Sequence, residues 1–468
     1  MSAEFDFMTA SELRRLVAAR EISPVELTQR ALERAEATQD RLNAFFVLMP
    51  EEARAAARRA EEAVLRGDRL GLLHGLPISA KDLMAVAGQP YASGSRTMAG
   101  NVAAVDAPAV ERVKAQGAIL IGKTTTSEFG CKPVGDSPLT GITRHPWDLS
   151  KTPGGSSAGA AASVAAGITP LALGTDGGGS LRIPAAFTGL VGFKAHSGRV
   201  PVWPTSATPT LAHVGSLART VTDAALLTTA ISGYDARDPF SVTGPVPDLL
   251  GAAESSLSGL RIAWSPTLGY ARPTSEVLEI ASAAAQSLSE LGAVVEEVDR
   301  VFEADPADMW MAEFFAGVGT RLRSFVETQR DLLDPAVADV LEAALAQDMR
   351  SYYETVFRRY ALRDEMRRFF ERYDLLLSPT LPVSSLETGR DIPADLSDRG
   401  LVTWVFYTYP FNLTGQPAAS VCAGIASDGM PVGLQIVGRS LAEADVIRVA
   451  AGIERMHQPG YNLKAPCV

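Results

Sequence analysis

The sequence predicts one large α/β domain, in which a mixed or parallel β-sheet is covered by helices. The 468 residues, 46% of them hydrophobic, provide enough apolar material for a large core. Short apolar runs alternate with helical patterns from residue 71 onward, and no linker-like or low-complexity segment divides the chain. We therefore expect the main α/β unit over 71–468, preceded by a helical lead-in over 1–70 that belongs to the same domain.

The lead-in predicts three helices. Thr9 with Glu12, and Ser23 with Glu26, have the spacing of capping boxes, in which side chains satisfy the free amides of a helix start. A third helix is predicted over 51–67, where a glycine ends the pattern.

The main unit predicts a sheet with helices between its strands. Residues 333–373 predict helices that begin at Asp334–Pro335, and residues 383–400 predict a polar surface loop. Seven apolar runs predict strands: 76–80, 118–122, 170–174, 260–264, 374–378, 419–424 and 433–438.

Composition and charge argue against several function classes. With 43 Lys and Arg against 54 Asp and Glu, the net charge of −11 disfavours a nucleic-acid or anionic-membrane partner. Cys131, Cys422 and Cys467 are far apart and odd in number, so neither a disulfide framework nor a metal site is predicted. The first residues lack a secretory pattern, and the Ala- and Gly-rich stretch 158–174 makes a poor membrane span. We expect a cytoplasmic protein that is not membrane-bound.

Residues 117–124, GAILIGKT, match the phosphate-loop pattern G-x-x-x-x-G-K-[ST] letter for letter. A true phosphate loop makes a tight turn after a strand, so that its backbone amides face the phosphate. Here the four middle residues are Ala, Ile, Leu and Ile, which themselves predict a buried strand. Nucleotide binding is therefore a minor alternative.

Residues 155–159, GSSAG, match the nucleophile elbow G-x-S-x-G around Ser157. That elbow follows a buried strand and needs a histidine later in the chain. Two prolines and no apolar run precede it, and of the histidines only His457 lies late enough. A Ser-His-Asp hydrolase is therefore a second minor alternative.

Three other residues fit nucleophilic catalysis without a histidine. Ser180 is a candidate nucleophile, which needs a base to remove its proton. Lys81 follows an apolar strand, and burial would lower its pKa and supply a neutral amine. Ser156 is a candidate relay between them, since Ser-Lys arrangements are known variants of the triad. Each residue alone has an ordinary structural explanation, but the three in this order favour an active site.

Gly177, Gly178 and Gly179 precede Ser180 directly. Successive backbone N–H groups on such a turn form an anion-binding nest, which beside a nucleophile acts as an oxyanion hole. We expect that side chains at these positions would block the approach of a substrate carbonyl.

These segments together resemble the amidase signature family, the Ser-Ser-Lys amidohydrolases. The signature block runs from TPGGSSAGAAASVAAG (152–167) through LALGTDGGGSLRIPAAFTGLVGFKA (171–195), and weaker similarity covers nearly the whole chain. The 75 residues from Lys81 to Ser156, and the 24 from Ser156 to Ser180, match the family spacing. Ala158 and Ala80 depart from residues that the family often has, without removing a catalytic group.

The resemblance implies a large twisted mixed sheet between layers of helices, with the catalytic domain over 71–468. It implies that Ser180 is the acylated nucleophile and Lys81 the base. Ser156 would be the relay, entered through a cis peptide bond from Gly155. No metal or other cofactor is implied. The resemblance further implies that the oxyanion hole is formed by the backbone amides of Gly177, Gly178, Gly179 and Ser180. The side chains of Ser157, Asp176 and Arg182 would support the site.

The resemblance also implies a substrate pocket built from the segment around and after SEFG (127–130) and from the later half of the chain, which varies within the family. Its candidate residues are Gly130, Cys131, Trp203, Trp310 and Phe314, with Phe315 and Tyr352 as further aromatics. Large apolar residues are more often ordinary core. If some of them line the pocket, an apolar or aromatic amide would fit. Cys131 is expected to be a small hydrophobic residue rather than a second nucleophile.

The main functional prediction is a free-standing amidase that hydrolyses a small-molecule amide through an acyl-enzyme. The first alternative is the glutaminase subunit of a tRNA-dependent amidotransferase, although we find no Gly-Tyr-Tyr-rich segment in the later half. Carbamate or ester hydrolysis and nucleotide binding are lesser alternatives, and a homodimer is the expected assembly of the free-standing enzyme.

Overall fold

A mixed eleven-stranded β-sheet forms the centre of the computed structural model, which describes residues 5–457. Two short strands form a separate hairpin. The strands in chain order are β1 (Phe45–Leu48), β2 (Pro77–Lys81), β3 (Ile119–Thr124), β4 (Asp136–Ser137), β5 (Gly141–Ile142), β6 (Leu171–Asp176), β7 (Val191–Lys194), β8 (His213–Ala218), β9 (Arg261–Trp264), β10 (Val294–Glu297), β11 (Leu375–Pro379), β12 (Ala418–Ile425) and β13 (Pro431–Gly438).

Fourteen α-helices lie within residues 5–457 and surround this sheet. They are α1 (Ala10–Ala18), α2 (Pro24–Leu42), α3 (Pro50–Arg66), α4 (Pro108–Ala115), α5 (Ala158–Ala165), α6 (Arg182–Thr188), α7 (Val221–Ile231), α8 (Leu249–Ala253), α9 (Ser275–Ser287), α10 (Ala307–Thr328), α11 (Pro335–Leu345), α12 (Met349–Phe369), α13 (Pro410–Thr414) and α14 (Glu443–His457). No helix in this described part of the chain is both long and apolar enough to cross a membrane.

The main sheet has the strand order β1-β3-β2-β6-β8-β7-β12-β13-β11-β9-β10. Its centre is buried on both faces, because consecutive side chains of one strand enter different apolar clusters. In β3, for example, Leu120 joins one cluster while Ile119 and Ile121 join another. Burial on both faces explains why the strands read as continuous apolar runs rather than alternating patterns. The predicted α/β class with helices on a mixed sheet is confirmed.

All seven predicted strands are present, as β2, β3, β6, β9, β11, β12 and β13. Both predicted capping boxes are present at the starts of α1 and α2, and Gly67 ends α3. α11 begins after the N-cap Asp334, as predicted. The sequence pattern does not predict β1, which lies within the helical lead-in. This strand pairs antiparallel with β3 and so joins the lead-in to the main sheet.

The phosphate-loop interpretation of residues 117–124 is wrong. Ile119 to Thr124 are β3, a fully buried strand, so their amides belong to the sheet. The motif lysine, Lys123, donates from Nζ to Asp82 Oδ1 at 2.6 Å, and both side chains are buried. This ion pair engages the lysine that a phosphate loop would direct to its nucleotide.

The parallel neighbours β2 and β6 position the candidate site. Both strands end at the same edge of the sheet, β2 at Lys81 and β6 at Asp176. The start of α5 and the loop before α6 lie at this edge too, carrying Ser156 and Ser180 respectively. The fold thus brings together segments that are 75 and 24 residues apart.

Candidate active site

Three side chains form a continuous line of short contacts at this edge. Lys81 Nζ lies 2.6 Å from Ser156 Oγ, and Ser156 Oγ lies 2.9 Å from Ser180 Oγ. Lys81 is fully buried and Ser156 is 1% exposed, whereas Ser180 is partly exposed. The peptide bond between Gly155 and Ser156 is cis. The order from buried amine to accessible hydroxyl is therefore the order needed for a relay.

Within residues 5–457, the hydrogen bonds of the Lys81 amine all go to hydroxyl groups. Besides Ser156, Nζ contacts Ser157 Oγ at 3.0 Å and Thr175 Oγ1 at 2.9 Å. Burial lowers the pKa of Lys81 well below its ordinary value, and the more distant Asp176 carboxylate opposes this only in part. The site therefore favours the neutral amine, which can accept a proton.

The hydrogen bonds around Ser157 determine which hydroxyl can donate to that amine. Ser157 Oγ donates to the carbonyl oxygen of Thr175 at 3.2 Å, so it accepts from Lys81. A neutral amine has two protons and one lone pair. With its protons directed to Ser157 and Thr175, the lone pair remains for the proton of Ser156.

A buried ion pair fixes the glycine loop before Ser180. Arg182 donates from Nε and Nη2 to the two carboxylate oxygens of Asp176, at 3.0 and 2.9 Å, and both side chains are fully buried. Burial alone would raise the pKa of Asp176, but the Arg182 guanidinium, with Lys194 and Asn412, holds it below its ordinary value. Asp176 also accepts the amide of Gly179 at 2.7 Å. The ion pair of Asp176 and Arg182 thus stabilises the conformation of the loop from Gly177 to Gly179.

The four predicted oxyanion-hole amides differ in their hydrogen bonding. The amide of Gly179 is already engaged by Asp176. The amides of Gly177, Gly178 and Ser180 have no acceptor among residues 5–457. The amides of Gly177, Gly178 and Ser180 are therefore available to bind an oxyanion. The Gly179 amide would have to share its proton between the Asp176 carboxylate and the oxyanion.

Two side chains from distant segments hold the carbonyl groups of the same loop. Trp310 Nε1 donates to the carbonyl oxygen of Gly177 at 2.8 Å, and Thr408 Oγ1 donates to that of Gly178 at 2.6 Å. Carbonyl and amide of one peptide unit share a plane. These two bonds therefore set the direction of the amides that follow.

The structure corrects the explanation of the glycines. A Cβ at Gly177 would lie 2.9 Å from the Phe314 ring, and one at Gly178 would lie 2.6 Å from the Trp310 ring. At Gly179, where φ is +133°, it would lie 2.4 Å from Thr408 Oγ1. Side chains are therefore excluded by the protein's own packing against the loop, and not only by the approach of substrate.

A cavity of about 330 Å³ opens beside Ser180. Of the predicted pocket residues, Gly130, Trp203 and Phe314 line this cavity. Trp310 lines a second, much smaller cavity that also borders Ser180, of about 20 Å³. Most of the larger cavity's side chains are apolar, among them Leu83, Met84, Met98, Phe129, Val318 and Leu322.

Cys131 is not among the residues that line either cavity, which corrects its prediction as a pocket residue. It is 1% exposed, and burial raises the pKa of its thiol, so it packs as a small hydrophobic residue. Phe315 is packed in the core, and Tyr352 lines a different cavity from the two that border Ser180. The later half therefore contributes to the pocket through α10.

The nucleophile-elbow interpretation of Ser157 is wrong. Ser157 is fully buried and bonded to Lys81, whereas His457 lies on α14 and contacts Ser287 Oγ at 3.0 Å. No histidine therefore stands beside Ser157 among the described contacts. The neighbouring Ser156 makes the contact to Ser180 instead.

Sequence reasoning missed three residues that contact the site. Thr175 supplies the third hydroxyl around Lys81, and its place next to Asp176 on β6 was the one available signal. Thr408 and Asn412 come from a segment more than 220 residues away, where Asn412 Nδ2 donates to Asp176 Oδ1 at 2.9 Å. No local pattern marks either residue, because only the fold brings them to the loop.

Comparison with known proteins gives a match over almost the whole chain. A family model described as Amidase matches residues 26–447. An acylamidase of Rhodococcus erythropolis is 35% identical over 458 residues, covering 96% of this chain and 95% of that protein. A glutamyl-tRNA(Gln) amidotransferase subunit of Chloroflexus aggregans is 36% identical over 479 residues, covering 97% of both chains.

Solved structures give the same result at the level of the fold. A bacterial aryl acylamidase of the amidase signature enzymes superposes with a TM-score of 0.93 at 31% identity, covering 99% of each chain. The fold described above is therefore shared with a known aryl acylamidase.

Proposed function

This chain belongs to the amidase signature family and is a hydrolase that acts on amides, and from that membership we propose how its candidate site performs the reaction. The observation that carries the proposal is the unbroken contact from Lys81 through Ser156 to Ser180. In this mechanism Ser180 is the nucleophile, Ser156 the relay and Lys81 the base.

In the first half-reaction Ser180 Oγ attacks the amide carbon. Its proton passes to Ser156, and the proton of Ser156 passes to the neutral amine of Lys81. The same relay then returns a proton to the leaving nitrogen, the C–N bond breaks, and an acyl group remains on Ser180. Water attacks this ester by the reverse route, which releases the carboxylate and restores the serine.

The oxyanion formed in both half-reactions is bound, in this proposal, by the loop amides before Ser180. The amides of Gly177, Gly178 and Ser180 are favoured donors because no other group engages them within residues 5–457. Gly179 belongs to the set that we predicted, but its amide already serves Asp176. Removing an oxyanion donor typically costs about 3–4 kcal/mol of transition-state stabilisation.

We propose that the substrate is an apolar or aromatic small-molecule amide. Aromatic and aliphatic side chains dominate the larger cavity, and Trp203 and Phe314 lie on its wall. Such a surface gains free energy by removing an apolar ligand from water. The similarity to an aryl acylamidase supports the same substrate class.

A second candidate function is that of the glutaminase subunit, favoured by the 36% identity to an amidotransferase component. Glutamine carries an ammonium and a carboxylate, and each needs a charged or polar partner when buried. Arg321 on the wall of the larger cavity is a cation for the carboxylate, but the one carboxylate among the described lining residues, that of Asp176, is already paired with Arg182 and leaves none for the ammonium. Glutaminase activity that appears only with partner subunits would favour this second candidate.

Cellular location and assembly belong to the proposal as well. Cys131 and Cys422 are free thiols, which is typical of a reducing compartment such as the cytoplasm. Cys467 lies outside the described residues. The homodimer stays a prediction, which light scattering of the purified protein would test.

The proposal is tested by removing the base and the nucleophile. We expect Lys81→Ala and Ser180→Ala each to lower kcat for aryl and aliphatic amides by about a thousandfold or more. Matched controls are Lys114→Ala, which removes a surface lysine, and Ser255→Ala, which removes an exposed serine. Ester and carbamate substrates assayed alongside define the bond type.

Circular dichroism and the melting temperature establish that each variant is folded. Full activity in a folded Lys81→Ala or Ser180→Ala variant would contradict the mechanism. Loss of activity in the control variants would show that the assay reports stability instead.

A further inference from the structure

Helix α12 directs a row of large apolar side chains toward solvent. Met349, Tyr353, Phe357 and Tyr360 are each more than half exposed. They follow one another at intervals of four, four and three residues, which places them on one face of the helix. The rings of Tyr353 and Phe357 are neighbours, with centroids 6.3 Å apart. We call these four residues the α12 patch.

The opposite face of α12 explains why the patch faces outward. That face carries Arg359, which is buried, donates from Nε to the carbonyl oxygen of Leu413 at 2.7 Å and forms an ion pair with Glu313 of α10. Turning the helix to bury the patch would break these buried bonds, which is costly. The fold therefore leaves the patch on the surface, and a contiguous exposed apolar patch commonly marks an interaction site.

The charges on either side of Phe357 indicate which partner fits. Arg350 lies seven residues before Phe357 and Asp364 lies seven residues after it, and this interval keeps all three on nearly the same face of the helix. Both charged side chains are exposed. If two copies of α12 pack antiparallel about a two-fold axis at Phe357, Arg350 of each protomer faces Asp364 of its partner.

The positions between these charges are complementary in the same arrangement. Residues at equal distances before and after Phe357 lie opposite one another, and the Phe357 rings of the two protomers meet at the axis. Tyr353 then packs against the small Ala361, and the Tyr360 hydroxyl lies beside the Glu354 carboxylate. Large therefore meets small, and donor meets acceptor. The surface fits a second copy of itself, as a two-fold interface requires.

The present ion pairs of the end charges do not prevent this contact. Arg350 contacts Glu354 at 3.1 Å, and Asp364 contacts Arg367 and Arg368 at 2.9 Å each. Exposed pairs of this kind contribute little to stability, so either charge can turn to an opposite charge on another protomer. An anionic membrane fits the patch less well, because the chain carries a net charge of −11.

We propose that α12 is the contact surface of a homodimer, in which two protomers pack antiparallel about a two-fold axis at Phe357. The α12 patch forms the apolar centre of the interface. The two pairs of Arg350 with Asp364 close its ends and fix the antiparallel register. The expected homodimer thereby gains a specific surface, which is independent of the proposed catalytic residues.

The first test removes the centre of the interface. We expect light scattering of the full chain to show a dimer that dissociates on dilution, because one helix pair buries a small area. Phe357→Ser removes a central ring from both protomers and should raise the dissociation constant about a hundredfold. The control is Phe7→Ser, which removes an exposed phenylalanine from the helical lead-in and should leave the dissociation constant unchanged.

Circular dichroism and an unchanged kcat for the aryl amide acetanilide establish that both variants are folded. A wild-type protein that is monomeric at all concentrations would overturn the proposal. A folded Phe357→Ser variant that dimerises as strongly as the wild type would overturn it too. Binding of monomeric wild type to phosphatidylcholine vesicles, lost in Phe357→Ser, would assign the patch to a membrane instead.

The second test examines the antiparallel register. Arg350→Asp brings two carboxylates together at each end of the interface, and Asp364→Arg brings two guanidinium groups together. Each variant alone should therefore dimerise about tenfold or more weakly than the wild type. An equimolar mixture of the two restores opposite charges at both ends and should dimerise nearly as strongly as the wild type. A mixture that dimerises no more strongly than either variant alone would overturn the proposed arrangement.

Discussion

Lys81, the proposed base, has surroundings that differ from those of the other buried lysines. Of the other buried lysines among residues 5–457, Lys123 contacts Asp82 and Lys132 contacts Asp136, Asp334 and Asp391, whereas Lys194 donates to the backbone carbonyl oxygens of Ala195 and Gln416. Lys81 Nζ instead contacts three hydroxyl oxygens. An ammonium buried without a paired charge is costly, so the neutral amine is favoured. The contacts that separate these lysines come from distant segments, so the strand pattern around Lys81 could not show them.

For the glycine loop, the sequence predicted the local constraint but not its full cause. The sequence indicated correctly that no side chain fits at Gly177 to Gly179, but the reason was incomplete. Trp310, Phe314 and Thr408, which fill that space, lie 130 or more residues away in the chain. The local sequence indicates that these positions have no room for a side chain, but it does not identify the distant residues that occupy the space.

Trp310 is predicted to act as a positioning residue through its N–H group. Trp310→Phe keeps a ring on Gly178 but removes the bond to the Gly177 carbonyl, which leaves the Gly178 amide less fixed. We expect kcat to fall about tenfold, less than the hundredfold or more for loss of a whole oxyanion donor, with KM nearly unchanged. Steady-state kinetics on acetanilide measures both constants.

The control is Trp404→Phe, since the Trp404 indole is also buried and donates to a carbonyl, that of Asp391. If both substitutions lower kcat equally, Trp310 has no special role. A change in KM alone would also contradict positioning of the oxyanion amides.

At the scale of elements, burial decided which strands could be predicted. The seven predicted strands are apolar runs, and most of their residues are buried on both faces. β10 was missed because its residues Val294, Glu296 and Glu297 are exposed at the sheet edge. β8 was missed because His213, Gly215 and Ser216 interrupt its apolar pattern. Tertiary pairing, rather than composition, makes these segments strands.

One arginine connects the elements that meet behind the site. Arg182, the first residue of α6, donates to Asp176 at the end of β6, to Asn412 in α13 and to Gln435 in β13. All four side chains are buried. The glycine loop is therefore tied to two elements from the end of the chain.

We expect Arg182→Met to lower the free energy of unfolding by about 3–5 kcal/mol, because it leaves the Asp176 carboxylate buried without its partner. Chemical denaturation measures this change. The control is Arg323→Met, which removes an exposed ion pair with Glu327 at 2.7 Å and should cost less than about 1 kcal/mol. Similar losses in the two variants would show that Asp176 is stabilised by other groups.

At the scale of the whole molecule, the sequence was enough for the fold class, the family and the three residues of the proposed relay. These follow from short segments whose spacing could be compared directly. The pocket could not be derived in the same way, because α10 supplies Phe314, Val318 and Leu322 from the variable later half. Only the packed structure shows that two cavities of different size border Ser180.

The central claim is that an acyl group forms on Ser180 by way of Ser156 and Lys81. The most direct measurement is to mix the protein with p-nitrophenyl acetate, stop the reaction in acid, digest the protein and locate the acetyl group by mass spectrometry. We expect one acetyl group, located on the Ser180 side chain by fragmentation of its peptide, and none there in Ser180→Ala or Lys81→Ala. An acetyl group on Ser157 or Cys131 in place of Ser180 would contradict this claim.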